Sequence, residues 1–144
     1  MTAERFQDLL RCRVLLEPEA AAAALPYIDA ATLKRLAAVD DAIGEALKSG
    51  DVNAYMEGNF RFHFLIYNAQ PRRTLNRLIE TLWLQFGPFM RVVYGKFGTA
   101  RLVDQHQRAI RAIRARDAKG LARAILADIR DGMGLIGKAG FEPE

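Results

Sequence analysis

The chain has 144 residues, 51% hydrophobic and 26% charged, and its net charge of +4 comes from 21 Lys and Arg against 17 Asp and Glu. That length suits one domain with its own core, without a disulfide or structural metal, and the balance excludes a disordered tail. The longest wholly apolar run, Ala20 to Leu25, is too short to cross a membrane, and no basic segment leading into an apolar one opens the chain, so a cytoplasmic location is expected, which the single Cys12 suits.

Ala (23) and Leu (17) outnumber Val, Ile and Thr together (20), and Ser occurs once, a composition that favours helix over strand. The first helix is expected over 3–25, with a bend or break near Glu17-Pro18, because the residue before a proline avoids the helical region. A second follows over 30–48, with Asp29 as N-cap and Gly50 just past its end. Asp51 caps a third over 52–69. Pro71, Arg72 and Arg73 separate it from a fourth over 73–95, in which Pro88 predicts a kink. Thr99 is expected to cap a fifth over 100–116, and Asp117 a sixth over 118–136, frayed by Gly132, Gly134 and Gly137. No segment alternates like a strand. These lengths predict an all-α antiparallel bundle.

Residues 101–130 hold eight basic and three acidic side chains. That excess admits a nucleic-acid surface through Arg108, Arg111 and Arg114, but no aromatic residues interleave with it, and a solvated helix face is the plainer reading.

Several polar residues fall on apolar stripes. The third helix buries Val52, Tyr55, Phe62 and Ile66, and Asn59 and His63 share that face one turn apart. His106 lies on the face of Leu102, Val103, Ala109, Ile110 and Ile113. Asp128 lies with Leu121, Ala124 and Ile125, and Arg13 with Phe6, Leu9, Leu10 and Leu16. Buried charges need partners, so convergence is the economical arrangement. Two imidazoles, a carboxylate and an amide meeting inside a bundle make a divalent-metal site, with Arg13 free to neutralise Asp128 or a ligand carboxylate. The same residues also read as a hydrogen-bonded core pair, Asn59 with His63, beside an internal ion pair, Arg13 with Asp128. On the fourth helix, Trp83, Gly87, Met90 and Tyr94 recur at helical spacing. They read as core or dimer contacts, or as a stripe from which Arg91 or Tyr94 reaches a ligand.

These residues resemble a known family. Arg13-Val14-Leu15-Leu16-Glu17 followed by the alanine run, Asn59-Phe60-Arg61-Phe62-His63, His106-Gln107-Arg108-Ala109-Ile110 with Ala112, Ile113 and Asp117, and Ala124-Ile125-Leu126-Ala127-Asp128-Ile129 are similar, in order, to the motifs of the effector-binding C-terminal (FCD) domain of FadR-type regulators in the GntR family of bacterial transcription factors. The resemblance runs over about residues 9–137. It implies a six- to seven-helix antiparallel bundle enclosing a ligand cavity, with residues 1–144 as a single effector-binding and dimerisation domain. It implies a homodimer, a small organic or sugar acid as effector, and no enzymatic activity. DNA contact is expected only through a winged helix-turn-helix, for which the twelve residues before Arg13 leave no room.

Carried over to this sequence, the metal ligands are Asn59, His63, His106 and Asp128, holding Zn, Ni or Mn. Asn59 stands where the family has Asp, and Asp128 where it has His, so the total ligand charge is unchanged. The effector-binding residues are Arg13, Asn59, His63, Arg91 and Tyr94. A metal-free variant, with Arg13, Asn59 and His63 holding the carboxylate directly, is the other form of this reading. The rival reading is a metal-dependent enzyme using His63, His106 and Asp128 as a two-His, one-carboxylate site.

Overall fold

A computed structural model describes residues 1–100 and 104–141. Among them are six α-helices and a 3₁₀ turn: α1 (Ala3–Ala24), the turn Leu25–Tyr27, α2 (Ala30–Ser49), α3 (Val52–Tyr67), α4 (Thr74–Phe97), α5 (His106–Arg114) and α6 (Ala118–Phe141). The all-α bundle expected from composition and periodicity is the fold.

Local chemistry sets most boundaries. The side chains of Thr2, Asp29 and Asp51 accept from the backbone N–H groups of Arg5, Thr32 and Ala54, so each satisfies a donor that a helix start leaves unpaired. Asp117 does the same for Gly120. Gly50 closes α2 with a φ of 73°, a left-handed cap that glycine adopts without steric cost.

Three expected boundaries move. Helix α1 continues through Pro18 instead of breaking there. Glu17 is fully buried and hydrogen-bonded, and Ala20, Ala21 and Ala24 are buried beyond it, so tertiary packing overrides the local preference. Helix α6 runs to Phe141, past the glycines expected to fray it. At Gly137 an added Cβ would lie 2.9 Å from the Phe6 ring, so this glycine permits close approach of α1 and α6 rather than ending the helix. Helix α5 starts at His106, not near residue 100. Thr99 does not cap it; its hydroxyl donates to the Leu47 carbonyl at 3.2 Å and ties this segment to the end of α2. An Asx turn initiates α5 instead, with Asp104 Oδ1 accepting from His106 N at 3.1 Å. The expected positions of Leu102 and Val103 lie outside the described residues.

Helix α1 packs chiefly against α6 and also against α4, α2 against α3, and α5 against α6. The buried stripes of all six helices share one core, in which Phe6, Phe62, Phe86, Ile43, Ile66, Ile79, Ile110, Leu121 and Ile125 are almost wholly removed from water. Each such side chain contributes about 1.5–3 kcal/mol relative to exposure. Arg108, Arg111 and Arg114 line the outer side of α5 and are exposed, as a solvated face requires. No described helix is long and apolar enough to cross a membrane.

Candidate metal and effector site

Three helices deliver the site. Helix α3 stacks Asn59, His63 and Tyr67 on successive turns of its buried face. Helix α5 opens with His106, and α6 contributes Asp128, whose side chain is 10% exposed. His63 Nε2 lies 2.9 Å from Asp128 Oδ2. His106 Nε2 lies 3.6 Å from the same oxygen, too long for a hydrogen bond and within ion-pair range. The ligand-capable atoms of the three residues all lie within 4.8 Å of one another.

The opposite side of each group is anchored. Asp128 Oδ1 accepts the backbone N–H of Gln105 at 2.8 Å, which turns Oδ2 toward the imidazoles. Nδ1 of His106 lies 3.2 Å from Asp40 Oδ1, and the ring stacks on Phe62 with centroids 4.0 Å apart. Asp40 is further held by the side-chain amide of Gln107. Nδ1 of His63 lies 2.9 Å from the Tyr67 hydroxyl, which donates to Glu17 Oε2 at 2.7 Å.

These partners assign the tautomers. The single hydroxyl hydrogen of Tyr67 goes to an acceptor-only carboxylate, so the phenol oxygen accepts from Nδ1–H of His63. A carboxylate likewise fixes Nδ1–H on His106. Both Nε2 atoms are therefore left to face Asp128 Oδ2, where a bare lone pair would meet a negative oxygen. A proton or a metal cation between them removes that conflict. Nε2 of His106 is buried and, among the described residues, has no hydrogen-bond partner.

The electrostatics agree. Burial alone would lower the His106 pKa, but the Asp128 and Asp40 carboxylates, with Asp104 nearby, outweigh it and push it up to about 9. Burial would likewise raise the Asp128 carboxyl, yet contact with the two imidazoles holds it well below the ordinary carboxylate range. Each residue stabilises the charge of the other, and a divalent ion would supply that positive charge instead of a proton.

The donor set suits such an ion. Donors about 2.0–2.1 Å from a tetrahedral zinc lie about 3.3 Å from each other, and the two Nε2 distances to Asp128 fall on either side of that value. Each imidazole also has the outer carboxylate or phenol partner that metal-ligating histidines use. Nothing covalent in the fold depends on an ion; the residues are placed by their own hydrogen bonds.

The other expected residues divide. Asn59 is 9% exposed and, among the described residues, has no hydrogen-bond partner; it does not pair with His63. With Arg13, Tyr55, Tyr94 and Asp128 it lines a small cavity of about 20 Å³, roughly the space of one water. Tyr94 is buried there against Tyr55, with ring centroids 5.4 Å apart, and its phenol is pushed up to about 12 by burial.

Arg13 does not pair directly with Asp128. Its Nε donates to Glu17 Oε1 at 2.6 Å, NH1 reaches the Met133 sulfur at 3.2 Å, and the guanidinium stacks over Trp83 at 4.3 Å. Trp83 in turn donates Nε1–H to Glu17 Oε1 at 3.0 Å, so this tryptophan is core rather than surface. Arg91 departs from expectation. It is exposed, bonded to Asn53, and faces a different groove, on the outer side of α4. One helical step from Met90, which does line the small cavity, carries Arg91 round to the outside.

Sequence reasoning missed Asp40, Tyr67 and the role of Glu17. Their signals were present. Asp40 falls between Leu36 and Ile43 on the buried stripe of α2, Tyr67 stands one turn beyond His63, and Glu17 one turn beyond Arg13.

The core of this helical bundle thus closes around two oriented imidazoles and a carboxylate. The model of the FCD domain matches residues 8–131, and the chain belongs to that family, the effector-binding type of domain of GntR-type regulators. It is 27% identical over 128 residues to the HTH-type transcriptional regulator McbR of Escherichia coli (strain K12), covering 87% of this chain and 58% of that protein. The solved structure of E. coli McbR/YncC superimposes with a TM-score of 0.86 at 22% identity, over 92% of this chain and 64% of that one, which establishes the fold. The chain thus spans about three fifths of the length of the relatives it matches.

Proposed function

We propose that this chain senses a small carboxylate for a transcription regulator and holds a divalent cation at His63, His106 and Asp128, with the Asn59 amide oxygen as a fourth donor. The observation that carries this reading is the convergence of two Nε2 atoms, each fixed from behind through Nδ1, on one Asp128 oxygen. Imidazole and carboxylate together suit zinc, nickel or manganese. When bound, the cation supplies positive charge for an incoming ligand carboxylate.

The chain's own residues do the rest. Asn59 offers an unused amide, and Arg13, lining the same cavity, adds a guanidinium partly neutralised by Glu17. Enzymatic chemistry gains no support from the surroundings. Of the further buried carboxylates beside the site, Glu17 is engaged by Arg13, Tyr67 and Trp83, and Asp40 by His106 and Gln107, which leaves neither available as a general base. A ligand held between α1, α3, α5 and α6 favours whichever arrangement of those helices binds it better, and thereby biases a homodimer. Leu78, Leu84 and Val92, exposed on α4, and Leu15 on α1 offer apolar surface for that dimer. DNA contact belongs to a separate winged helix-turn-helix, and the location is cytoplasmic.

Calorimetry of metal-loaded and chelator-treated protein against a panel of small carboxylic acids tests the proposal. Binding that needs the metal and is lost in His63→Ala supports it. No binding by any acid in either form defeats it.

A further inference from the structure

Beside the polar site lies a second compartment. A cavity of about 300 Å³ is lined by Val93, Tyr94, Phe97, Leu135, Ile136 and Ala139, together with Gly98. Among the described residues, the Tyr94 hydroxyl is the one polar side-chain group in that lining. Tyr94 and Ile136 also line the small polar cavity that holds Asn59, Asp128 and Arg13. The two spaces are thus adjacent, with those two side chains as their common wall.

Their walls follow the same two helices in the same order. On α6 the polar cavity begins at Asp128 and ends at Ile136, eight residues or about 12 Å further. The apolar compartment takes over there and reaches Ala139. On α4 the lining passes from Met90 and Tyr94 to Phe97. Between the ends lie Gly132, where an added Cβ would meet nothing within 4 Å, and the unbranched side chains of Met90 and Met133. Methionine repacks readily around an inserted group, so the lining between the two spaces can yield there more readily than the stiffer core.

We propose that the effector is an amphipathic acid: a carboxylate head at Asn59, Arg13 and the His63–His106–Asp128 centre, and an aliphatic or aromatic tail extending past Tyr94 and Ile136 into the apolar compartment. The inference rests on the carboxylate-sensing reading above and narrows its ligand class. A cavity of about 150 Å³ lined by aliphatic and aromatic groups accepts benzene, so 300 Å³ accommodates an aromatic ring or a chain of several carbons. A polyhydroxylated sugar acid fits poorly, because its hydroxyls would leave water for walls whose described side chains offer a single phenol.

The test is calorimetry of metal-loaded protein with acetate, butyrate, hexanoate, octanoate, 3-phenylpropanoate and gluconate, and with hexanol as the tail without its head. Affinity should rise about fourfold per methylene along the series until the compartment is full. Gluconate should bind no better than acetate, and hexanol far more weakly than hexanoate. Phe97→Ala, at an exposed lining position, should weaken octanoate and leave acetate unchanged. Ala139→Phe, which fills the compartment, should do so more strongly; if it misfolds, the Phe97 variant and the chain-length series still decide. Acetate or gluconate binding as tightly as octanoate would overturn this inference and leave the carboxylate-sensing reading standing. Binding by no acid at all would overturn both.

Discussion

Two charged clusters lie side by side in this core, and they differ in whether their hydrogen bonds close. Around Glu17 every strong acceptor is used: Arg13, Tyr67 and Trp83 converge on one fully buried carboxylate. Around Asp128 the arrangement stays open, with neither His106 Nε2 nor the Asn59 side chain finding a hydrogen-bond partner among the described residues. A closed buried network fixes one packing, whereas an open one at the edge of a cavity is poised for something from outside. The same physics thus separates a closed cluster from an open one, and Tyr67 and His63 connect them.

The comparison can be broken most forcefully at Glu17. Glu17→Ala leaves Arg13 buried without its counter-charge and should cost about 3–5 kcal/mol, equally with and without added metal, as read by urea denaturation. A loss that disappears when metal is supplied would mean that the two clusters are not distinct.

The open cluster should instead respond to pH. The folded-state pKa of His106, about 9, lies above its unfolded value near 6.5. Its contribution to metal-free stability is therefore fully present below about pH 6.5 and is lost as pH rises through 9, by roughly 3 kcal/mol at most. The lowered Asp128 pKa is the other side of the same interaction and is not added to it. Metal affinity should move the opposite way, rising over that interval as the proton leaves. Denaturation and metal titrations between pH 6 and 9.5 check both slopes.

Smaller effects sharpen the picture. Asp40→Asn keeps the shape behind His106 but weakens its hold on Nδ1–H, and metal affinity should fall about 10–100-fold while the fold persists, as a competition titration with a chelator would show. Arg91→Ala should change stability by no more than about 0.5 kcal/mol and leave carboxylate affinity untouched, since Arg91 faces outward toward Asn53. A clear loss of ligand affinity in that variant would place the effector site on the wrong side of α4.

Much of this was legible in the sequence because polar residues on an apolar stripe must find one another. His63, His106 and Asp128 stood out for that reason, and the helices carrying them were set by caps such as Asp51 and Asp117. What the sequence hid depended on rotation and on distant partners. Arg91 and Met90 are neighbours in the chain, yet a step of about 100° puts one in solvent and the other in the core. Pro18 signals a bend or break, yet α1 continues through it, with Glu17 held by three partners just before it. Thr99 has the chemistry of a cap, but a carbonyl on α2 takes its hydroxyl. The sequence leaves Arg13 to Asp128 or to a ligand carboxylate, and only the structure shows that a carboxylate one turn away holds it.

The most direct test is elemental analysis of purified protein beside the His63→Ala/His106→Ala double variant, both exposed to the same mixture of zinc, nickel and manganese and then desalted. The account predicts one divalent ion per chain in the native protein and none in the folded variant. A native protein that retains no metal, or a variant that retains as much, would contradict it.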